Sequence, residues 1–295
     1  MTINIAFLGL GAMGYPMAGH LANNDFTLTV YNRTASVAEK WLTEYTGQSA
    51  ITPADAVKNA DIVITCVGND NDVRSIYCGD DKQNQSIFSA IKANTILIDH
   101  TTTSANLARE LAQIAAQHQA HFLDAPVSGG QVGAEKGCLT IMVGGDRGIY
   151  QQAHLIMQCY AQAISLIGSV GYGQRCKMVN QLCIAGILQG LSEALTFAKA
   201  AGIDAQTVVN TLQHGAAGSW QMVNRTETMM DNQFDFGFAI DWMRKDLAIC
   251  FDEAERLQVE LPLAKFVDNK YKELQLNEHA RSDTSALIKQ FDKQQ

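Results

Sequence analysis

The chain has 295 residues, of which 47% are hydrophobic and 18% are charged, as is usual for a soluble globular protein with a large core. This length allows one large domain or two of ordinary size. The formal net charge of −8 argues against non-specific binding to nucleic acid or to an anionic membrane, because both need basic patches. The composition therefore predicts a soluble protein with neither of these partners.

Seven cysteines are scattered along the chain, and none of them forms a C-x-x-C pair. The pattern predicts a reducing compartment, with no disulfide framework and no metal site. The N-terminus has no basic segment or cleavage site, so we do not expect a signal peptide. The most hydrophobic window, residues 182–198, is interrupted by Gln189, Ser192 and Glu193, which is unlike a membrane span. We therefore expect a cytoplasmic protein.

The first half of the chain alternates apolar runs with periodic segments. Runs rich in Ile, Val, Leu and Phe predict buried strands at residues 3–8, 27–31, 62–67, 95–99 and 120–124. Periodic segments predict helices at residues 17–23, 35–45 and 105–117. This alternation predicts an α/β fold with a doubly wound parallel sheet and helices on both faces. Two more runs, at residues 139–143 and 163–167, extend the predicted sheet.

The strand pattern stops after about residue 168. Residues 178–201 are apolar almost all round and predict a helix of roughly 35 Å, with Gly202 as its C′ residue. Such a helix must be covered on every side, so we expect several helices around it and a second subunit as a further source of cover. More helices are predicted at residues 234–261 and 283–291. The predicted domains are residues 1–167 and residues 168–295.

The segment from Gly9 to Gly14 reads G-L-G-A-M-G, directly follows the first predicted strand and opens a helix. In this context G-x-G-x-x-G is typical of dinucleotide binding, because Gly11 lets the backbone approach a pyrophosphate and the helix N-terminus presents free N–H groups. A glycine-rich turn without a ligand is the alternative. The predicted cofactor-binding residues here are Gly9, Leu10, Gly11, Met13 and Gly14.

The second predicted strand ends in Asn32, Arg33 and Thr34. An acidic residue at this point would bind the 2′-hydroxyl of the adenine ribose and repel a 2′-phosphate. A guanidinium can instead pair with a phosphate in a forked geometry and stack on adenine. We therefore predict that these three residues bind the cofactor and favour NADP(H) over NAD(H). The alternative is that Arg33 is a solvated loop residue.

Two later strand ends belong to the same predicted crevice, because the carboxyl ends of parallel strands meet at one edge of the sheet. Val67 ends the third of these strands and Thr102 follows the fourth, and both are predicted to bind the cofactor. The Thr102 hydroxyl is a candidate contact of the nicotinamide ribose or of the substrate. Alternatively, Thr102, Thr103 or Ser104 caps the next helix.

Ser128, Gly129 and Gly130 follow the fifth strand and offer a hydroxyl together with unobstructed backbone N–H groups. Such a nest holds a carboxylate well, although a plain turn uses the same residue types. We therefore expect a small substrate that carries a carboxylate.

Lys177 and Asn180 lie three residues apart at the start of the long apolar segment, so a helix places them on one face. Hydride transfer to an aldehyde carbon leaves an alkoxide, which a positioned ammonium stabilises and then protonates. In the oxidative direction a neutral lysine takes the hydroxyl proton, and partial burial together with a positive nicotinamide would lower its pKa towards that role. A solvated helix lysine is the alternative.

These motifs together resemble the β-hydroxyacid dehydrogenase family, which includes 3-hydroxyisobutyrate dehydrogenases, tartronate semialdehyde reductases and glyoxylate/succinic semialdehyde reductases. The similarity spans nearly the whole chain and follows the family's order. It is carried by Gly9–Gly14 with Pro16-Met17-Ala18, Asp99-x-Thr-Thr102, Asp124–Gly130, Gly171-x-Gly-x-x-x-Lys177-x-x-Asn180 and Lys245-Asp246. The chain departs from the family at Ser104-Ala105, where a proline is frequent, and in an Asp/Asn-rich segment at residues 69–85 that we expect to be an exposed insert.

The resemblance implies a Rossmann NADP-binding domain, a long linking helix and an all-α domain that forms a homodimer or homotetramer. The implied activity is an NADP(H)-dependent interconversion of a short β-hydroxyacid and its semialdehyde, or of a glyoxylate/glycolate-type pair. The alternatives are a non-catalytic dinucleotide-binding module and an imine reductase of the same architecture, a branch that typically lacks the lysine. The implied roles are carboxylate binding by Ser128, Gly129 and Gly130, substrate orientation by Asn180, general acid/base catalysis by Lys177, and closure near the cofactor by Lys245.

Overall fold

The computed structural model describes residues 2–79 and 85–292. The chain forms two compact units, Met1–Lys177 and Met178–Gln295. The border falls within helix α8 (Tyr172–Ala200): its residues up to Lys177 belong to the first unit and the rest belong to the second. The predicted division into residues 1–167 and 168–295 stays a prediction.

The first unit is built on one sheet of nine strands in the described residues. They are β1 (Asn4–Leu8), β2 (Thr27–Tyr31), β3 (Gln48–Ser49), β4 (Ile62–Thr65), β5 (Ile96–Asp99), β6 (His121–Asp124), β7 (Val127–Ser128), β8 (Leu139–Gly144) and β9 (Ala161–Gly168). The strand order is β3-β2-β1-β4-β5-β6-β8-β7, and β9 pairs with β8.

Helices cover both faces of this sheet, as the sequence predicts. They are α1 (Gly14–Ala22), α2 (Ala35–Glu44), α3 (Pro53–Val57), α4 (Asp70–Cys78), α5 (Ala105–Gln117), α6 (Gly130–Glu135) and α7 (Arg147–Met157). Successive residues of a strand point to opposite faces, so Phe7 packs in one apolar cluster with Trp41 and Leu8 packs in the other with Tyr77. Burial on both faces explains why the strands read as continuous apolar runs.

The prediction of a doubly wound, mainly parallel α/β sheet is confirmed. The first six strands, β1 to β6, pair with one another in parallel. Strand β8 runs antiparallel to both β6 and β7. The segment between β6 and β8 forms β7 and the six-residue α6, not a helix long enough to return the chain along the sheet. An apolar run indicates that a strand is buried but not in which direction the strand runs in the sheet. The sequence therefore did not indicate that β8 is antiparallel.

The expectation of an exposed insert at residues 69–85 is wrong for its first part. Residues 70–78 form α4, in which Val73 and Tyr77 are fully buried. Asn69 caps this helix, because its Oδ1 accepts a hydrogen bond of 3.0 Å from the backbone N–H of Asp72. Asp70 and Asp72, two of the acidic residues on which the prediction of an insert was based, stabilise the positive N-terminus of this helix. Asp80 and Asp81 lie outside the described residues.

The second unit is helical in its described residues. It contains most of α8, then α9 (Ala205–Leu212), α10 (Trp220–Met230), α11 (Ile240–Leu257), α12 (Pro262–Leu274) and a 3₁₀ helix (Thr284–Phe291). The long helix predicted at residues 178–201 is confirmed, and Gly202 follows it with a φ of +71°. The helix predicted at 234–261 is shorter, and the one predicted at 283–291 is a 3₁₀ helix capped by Asp283.

Within this chain helix α8 is buried on one side only, and the expected cover from a second subunit stays a prediction. Ala185, Leu188 and Leu195 belong to the core of the second unit, whereas Val179 and Phe197 are exposed. Within the described residues, α8 is the one helix long and apolar enough to cross a membrane, and core helices of soluble proteins have the same composition.

Candidate active site

The glycine-rich loop between β1 and α1 contains two glycines that the fold itself requires. Gly9 has a φ of +102°, and a Cβ there would overlap the carbonyl of Cys66. A Cβ at Gly14 would overlap the carbonyl of Gly9. Gly11 differs, because a Cβ there would meet no atom within 4 Å. The open space beside Gly11 fits the close approach of a pyrophosphate to the backbone.

Asn32 at the end of β2 holds this loop in place. Its Oδ1 accepts a 3.0 Å hydrogen bond from the Leu10 N–H, and its Nδ2 donates at 3.0 Å to the Thr34 carbonyl. The Leu10 side chain is buried in the core, and Met13 is half-buried at the start of α1. The cofactor contacts predicted for these residues stay predictions, and Asn32 has a positioning role that sequence reasoning missed.

Arg33 is exposed, with a side-chain accessibility of 86%, beside the loop. Its Nη1 donates a 3.0 Å hydrogen bond to Oδ1 of Asp72 in the first turn of α4. An exposed ion pair of this kind is worth at most about 1 kcal/mol. The guanidinium is therefore held beside Asp72 by an ion pair that contributes little energy.

The ends of β4 and β5 are tied together by a threonine. The Oγ1 of Thr101 accepts a 3.0 Å hydrogen bond from the Val67 N–H. Helix α5 is capped by Ser104, whose Oγ accepts from the Leu107 N–H at 3.1 Å. Thr102 is therefore not the cap of this helix, and it lies half-buried at the carboxyl edge of the sheet.

The predicted carboxylate nest lies between β7 and α6. Ser128 pairs with Thr140 of β8 and is half-buried, whereas Gly129 and Gly130 are exposed. These two glycines have φ values of +129° and +61°, a succession that residues with a Cβ rarely adopt. Both glycines are exposed at this turn, and the carboxylate binding predicted for it stays a prediction.

A buried carboxylate fixes the start of α8. Oδ1 of Asp124 accepts a 2.7 Å hydrogen bond from the Gly171 N–H, and Oδ2 accepts one of 2.9 Å from the Gln174 N–H. These are N–H groups that the first turn of a helix leaves unsatisfied. Burial raises the pKa of Asp124 to about 7, although both N–H donors act to lower it. Sequence reasoning missed this role of Asp124.

Gln174 holds the same turn from its side chain. Its Oε1 accepts from the Thr103 N–H at 3.0 Å, and its Nε2 donates to the Thr101 carbonyl at 2.7 Å. Lys177 follows three residues later and therefore on the same helix face. It is only 7% exposed and belongs to the first unit. Lys177 thus lies about one helical turn beyond the contacts that Gln174 makes with Thr101 and Thr103, which follow β5.

Two other residues of the first unit could carry proton chemistry, His100 and Cys176. His100 Nδ1 lies 2.6 Å from the Ala125 carbonyl and Nε2 lies 2.9 Å from the Tyr160 hydroxyl. Burial lowers the pKa of His100 to about 4, so the ring is neutral at pH 7. Burial also raises the pKa of Cys176, which makes its thiol a poor nucleophile.

Asn180 and Lys245 belong to the second unit. Asn180 Nδ2 donates to Oε1 of Gln181 at 2.7 Å, and Lys245 Nζ lies 3.0 Å from Oδ1 of Asp246. Gln181 and Asp246 are themselves hydrogen-bonded at 2.6 Å. The two predicted site residues of this unit are therefore joined by two buried residues that sequence reasoning did not assign.

Comparison with known proteins agrees with this arrangement. Residues 4–168 match the family model of the NAD binding domain of 6-phosphogluconate dehydrogenase. Residues 171–291 match the model described as NAD-binding of NADP-dependent 3-hydroxyisobutyrate dehydrogenase. The sheet, the glycine loop and these matches define an NAD(P)-dependent oxidoreductase.

Individual relatives identify the family to which this oxidoreductase belongs. An uncharacterized oxidoreductase of Shewanella frigidimarina (strain NCIMB 400) is 50% identical over 98% of both chains. The 2-hydroxy-3-oxopropionate reductase of Escherichia coli (strain K12) is 32% identical over 97% of this chain and 96% of its own. The 3-hydroxyisobutyrate dehydrogenase of Mycobacterium tuberculosis, in a structure with L-serine, has a TM-score of 0.87 at 29% identity and covers 98% of this chain and 99% of its own. The chain belongs to the β-hydroxyacid dehydrogenase family.

Alanine substitutions at Gly11 and Gly14 distinguish an effect on ligand binding from an effect on folding. We predict that Gly11→Ala keeps the melting temperature of the wild type, because the added methyl group meets open space. The same methyl group occupies the path of a pyrophosphate and should raise the Kd for NADPH by about tenfold or more. Gly14→Ala should lower the melting temperature by roughly 5 °C or more, since its methyl group overlaps backbone. Thermal unfolding and fluorescence titration with NADPH measure both effects. Unchanged NADPH affinity in Gly11→Ala would contradict the assignment.

Proposed function

We propose that the protein is an NADP(H)-dependent oxidoreductase that interconverts a short β-hydroxyacid and its semialdehyde, or a glyoxylate/glycolate-type pair, with Lys177 as the general acid/base. The observation that carries the proposal is the setting of Lys177. It is nearly buried, one turn beyond Gln174, on a helix whose start is fixed by the carboxylate of Asp124. A lysine on an ordinary solvated helix face is not buried and does not follow a helix start that is fixed by a buried carboxylate.

The residues of this chain have distinct parts in the proposed reaction. The bound nicotinamide supplies the hydride in the reductive direction and takes it in the oxidative direction. Lys177 stabilises the negative charge that develops on the substrate oxygen and donates the proton that completes the hydroxyl group. In the oxidative direction its neutral amine accepts that proton. Because Lys177 is held by a helix, little reorganisation is needed when the charge develops.

The substrate is proposed to be a short acid. Ser128, Gly129 and Gly130 offer one small nest for one carboxylate, which supports acids of a few carbons. The name of the E. coli relative, 2-hydroxy-3-oxopropionate reductase, supports the same class. We propose that Asn180 orients this substrate and that Lys245 lies near the cofactor. An imine reductase, the second candidate, is disfavoured by Lys177, and a non-catalytic module is disfavoured by Lys177 and Asn180 together.

Replacement of Lys177 tests the mechanism. We predict that Lys177→Ala lowers kcat by about 10²- to 10⁴-fold with semialdehydes or glyoxylate, because the proton donor is lost. The Kd for NADPH should change by less than about threefold, well under the tenfold that 1.4 kcal/mol represents. Nicotinamide absorbance measures the first quantity and fluorescence titration the second. Lys199→Ala is the matched control, since Lys199 is exposed in the last turn of the same helix. Full turnover by Lys177→Ala would overturn the mechanism.

We propose that NADP(H) is preferred over NAD(H) through Arg33. Arg33→Ser should raise the KM for NADPH by about 10- to 100-fold, because a charge-assisted contact to the 2′-phosphate is worth about 1.5–3 kcal/mol. The KM for NADH should change little. Arg74→Ser is the control, since Arg74 is also a surface arginine of the first unit that pairs with an acid, Glu110. Equal effects of Arg33→Ser on both cofactors would argue against this role.

We also propose that the protein is a cytoplasmic homodimer or homotetramer that associates through the helical unit. None of the seven cysteines, all of which lie in the described part of the chain, takes part in a disulfide, which supports a reducing compartment. An exposed stripe on α8 supports self-association, because an apolar helix face of this length is usually covered. The α8 stripe consists of Val179, Cys183, Ile187, Gly190, Ala194 and Phe197, at spacings of three and four residues.

Light scattering tests the association. The wild type should have two or four times the chain mass of 32.1 kDa, and Phe197→Asp should reduce this by placing a charge in the α8 stripe. Leu155→Asp is the matched control, because Leu155 lies on α7 of the first unit and both side chains are 72% exposed. If the molar mass of the wild type at micromolar protein concentration equals that of one chain, the proposal is contradicted.

A further inference from the structure

The ion pair between Arg33 and Asp72 lies across the crevice in which this fold is expected to bind a dinucleotide. The sheet grows in one direction from β1 to β3 and in the other from β4 onwards, so the strand order reverses between β1 and β4. In open α/β sheets, ligands bind outside the carboxyl ends of the strands at such a reversal. Arg33 follows β2 on one side of β1, and Asp72 lies in the first turn of α4, which follows β4 on the other side. The pair therefore connects the two sides of this crevice.

The two partners are held in place to different degrees. Asp72 belongs to a capped helix, since its backbone N–H donates to Oδ1 of Asn69 at 3.0 Å, and its side chain is 26% exposed. Arg33 lies outside the helices and strands, and its side chain is 86% exposed. The contact between them is a hydrogen bond of 3.0 Å from Nη1 to Oδ1. The carboxylate is therefore positioned by its helix, whereas the guanidinium is carried by a long, solvated side chain that can turn.

A 2′-phosphate and the carboxylate of Asp72 are both anions that accept hydrogen bonds from guanidinium N–H groups. They consequently compete for Arg33 wherever Arg33 binds the phosphate. A forked contact of two hydrogen bonds to a phosphate is stronger than the single contact to Asp72, so the phosphate prevails, but its net binding is weakened by the loss of the ion pair. NADH has no 2′-phosphate and leaves the pair intact.

The neighbouring acid of the same helical turn has a different partner. The carboxylate of Asp70 accepts a hydrogen bond of 3.1 Å from the Ser104 N–H and one of 2.6 Å from the Ser104 hydroxyl. These contacts hold Asp70 against the start of α5. Among the acids of this turn, Asp72 is thus the one that the structure pairs with Arg33.

We propose that Asp72 is a specificity-determining residue that limits the preference for NADP(H), because its carboxylate competes with the 2′-phosphate for the guanidinium of Arg33. Arg33 supplies the attraction for the phosphate, and Asp72 sets how much of that attraction is realised. This inference rests on the proposed function of Arg33 in favouring NADP(H). The sequence did not indicate it, since the two residues are 39 positions apart.

Removal of the charge at position 72 tests the competition. Asp72→Asn keeps the shape of the side chain and weakens the pair, so we expect the Kd for NADPH to fall by about 3- to 5-fold, the range that a surface ion pair allows. The Kd for NADH should change by less than about 1.5-fold, because no 2′-phosphate is present to gain the guanidinium. Fluorescence titration measures both dissociation constants without turnover.

A matched control and a second background show whether the effect passes through Arg33. Asp55→Asn should leave both Kd values unchanged, since Asp55 is likewise a first-turn acid of the first unit that pairs with a surface cation, Lys58. In the Arg33→Ser chain, Asp72→Asn should lower the Kd for NADPH by less than about 1.5-fold, because repulsion between exposed charges is screened by salt. The same gain in both backgrounds would mean a general charge effect and would overturn the inference.

The outcomes distinguish this inference from the proposed function. If Arg33→Ser weakens the binding of NADPH and NADH equally, the proposed role of Arg33 fails and the inference fails with it. If Arg33→Ser weakens NADPH alone, while Asp72→Asn leaves the Kd for NADPH unchanged or raises it, only the inference is overturned. If Asp72→Asn does not fold, judged by thermal unfolding, Asp72→Ser is titrated in the same two backgrounds, with the same results expected.

Discussion

The contact between the buried Asp124 carboxylate and the first N–H groups of α8 is the constraint on which the candidate site depends. The start of a helix carries a partial positive charge on its unpaired N–H groups, and in α8 these groups meet the buried carboxyl group of Asp124. The two hydrogen bonds fix both the position and the rotation of the helix at its start. Every residue on its first turns inherits that rotation, and Lys177 is among them.

Much of the fold and of the loop at the first strand could be predicted from the sequence, because both depend on local patterns. Apolar runs of four to six residues predict strands buried on two faces, and Gly9–Gly14 follows such a run directly. Helix α8 was likewise evident from its apolar residues. The direction of β8 was not, because strand direction is decided by the length and path of the connection, which hydrophobicity does not record.

The buried polar contacts could not be found from the sequence because the partners are distant along the chain. Asp124 and Gln174 are 50 residues apart, and Gln181 and Asp246 are 65 residues apart. Asp124 and Asp246 both lie within motifs, but a motif does not show which backbone or amide group a carboxylate will meet. The misread segment at residues 70–78 has a related cause, since residues that cap a helix are the same polar types that fill loops.

The unequal demands on the three loop glycines have an evolutionary consequence. Gly9 and Gly14 are required by the backbone around them, whereas a Cβ at Gly11 would meet no atom within 4 Å. Selection for folding alone therefore preserves the first two and leaves the third free to drift. A descendant of this chain that abandoned its dinucleotide would lose the middle glycine while keeping the outer pair. A side chain at the middle position is thus compatible with the fold but not with close approach of a pyrophosphate to the backbone.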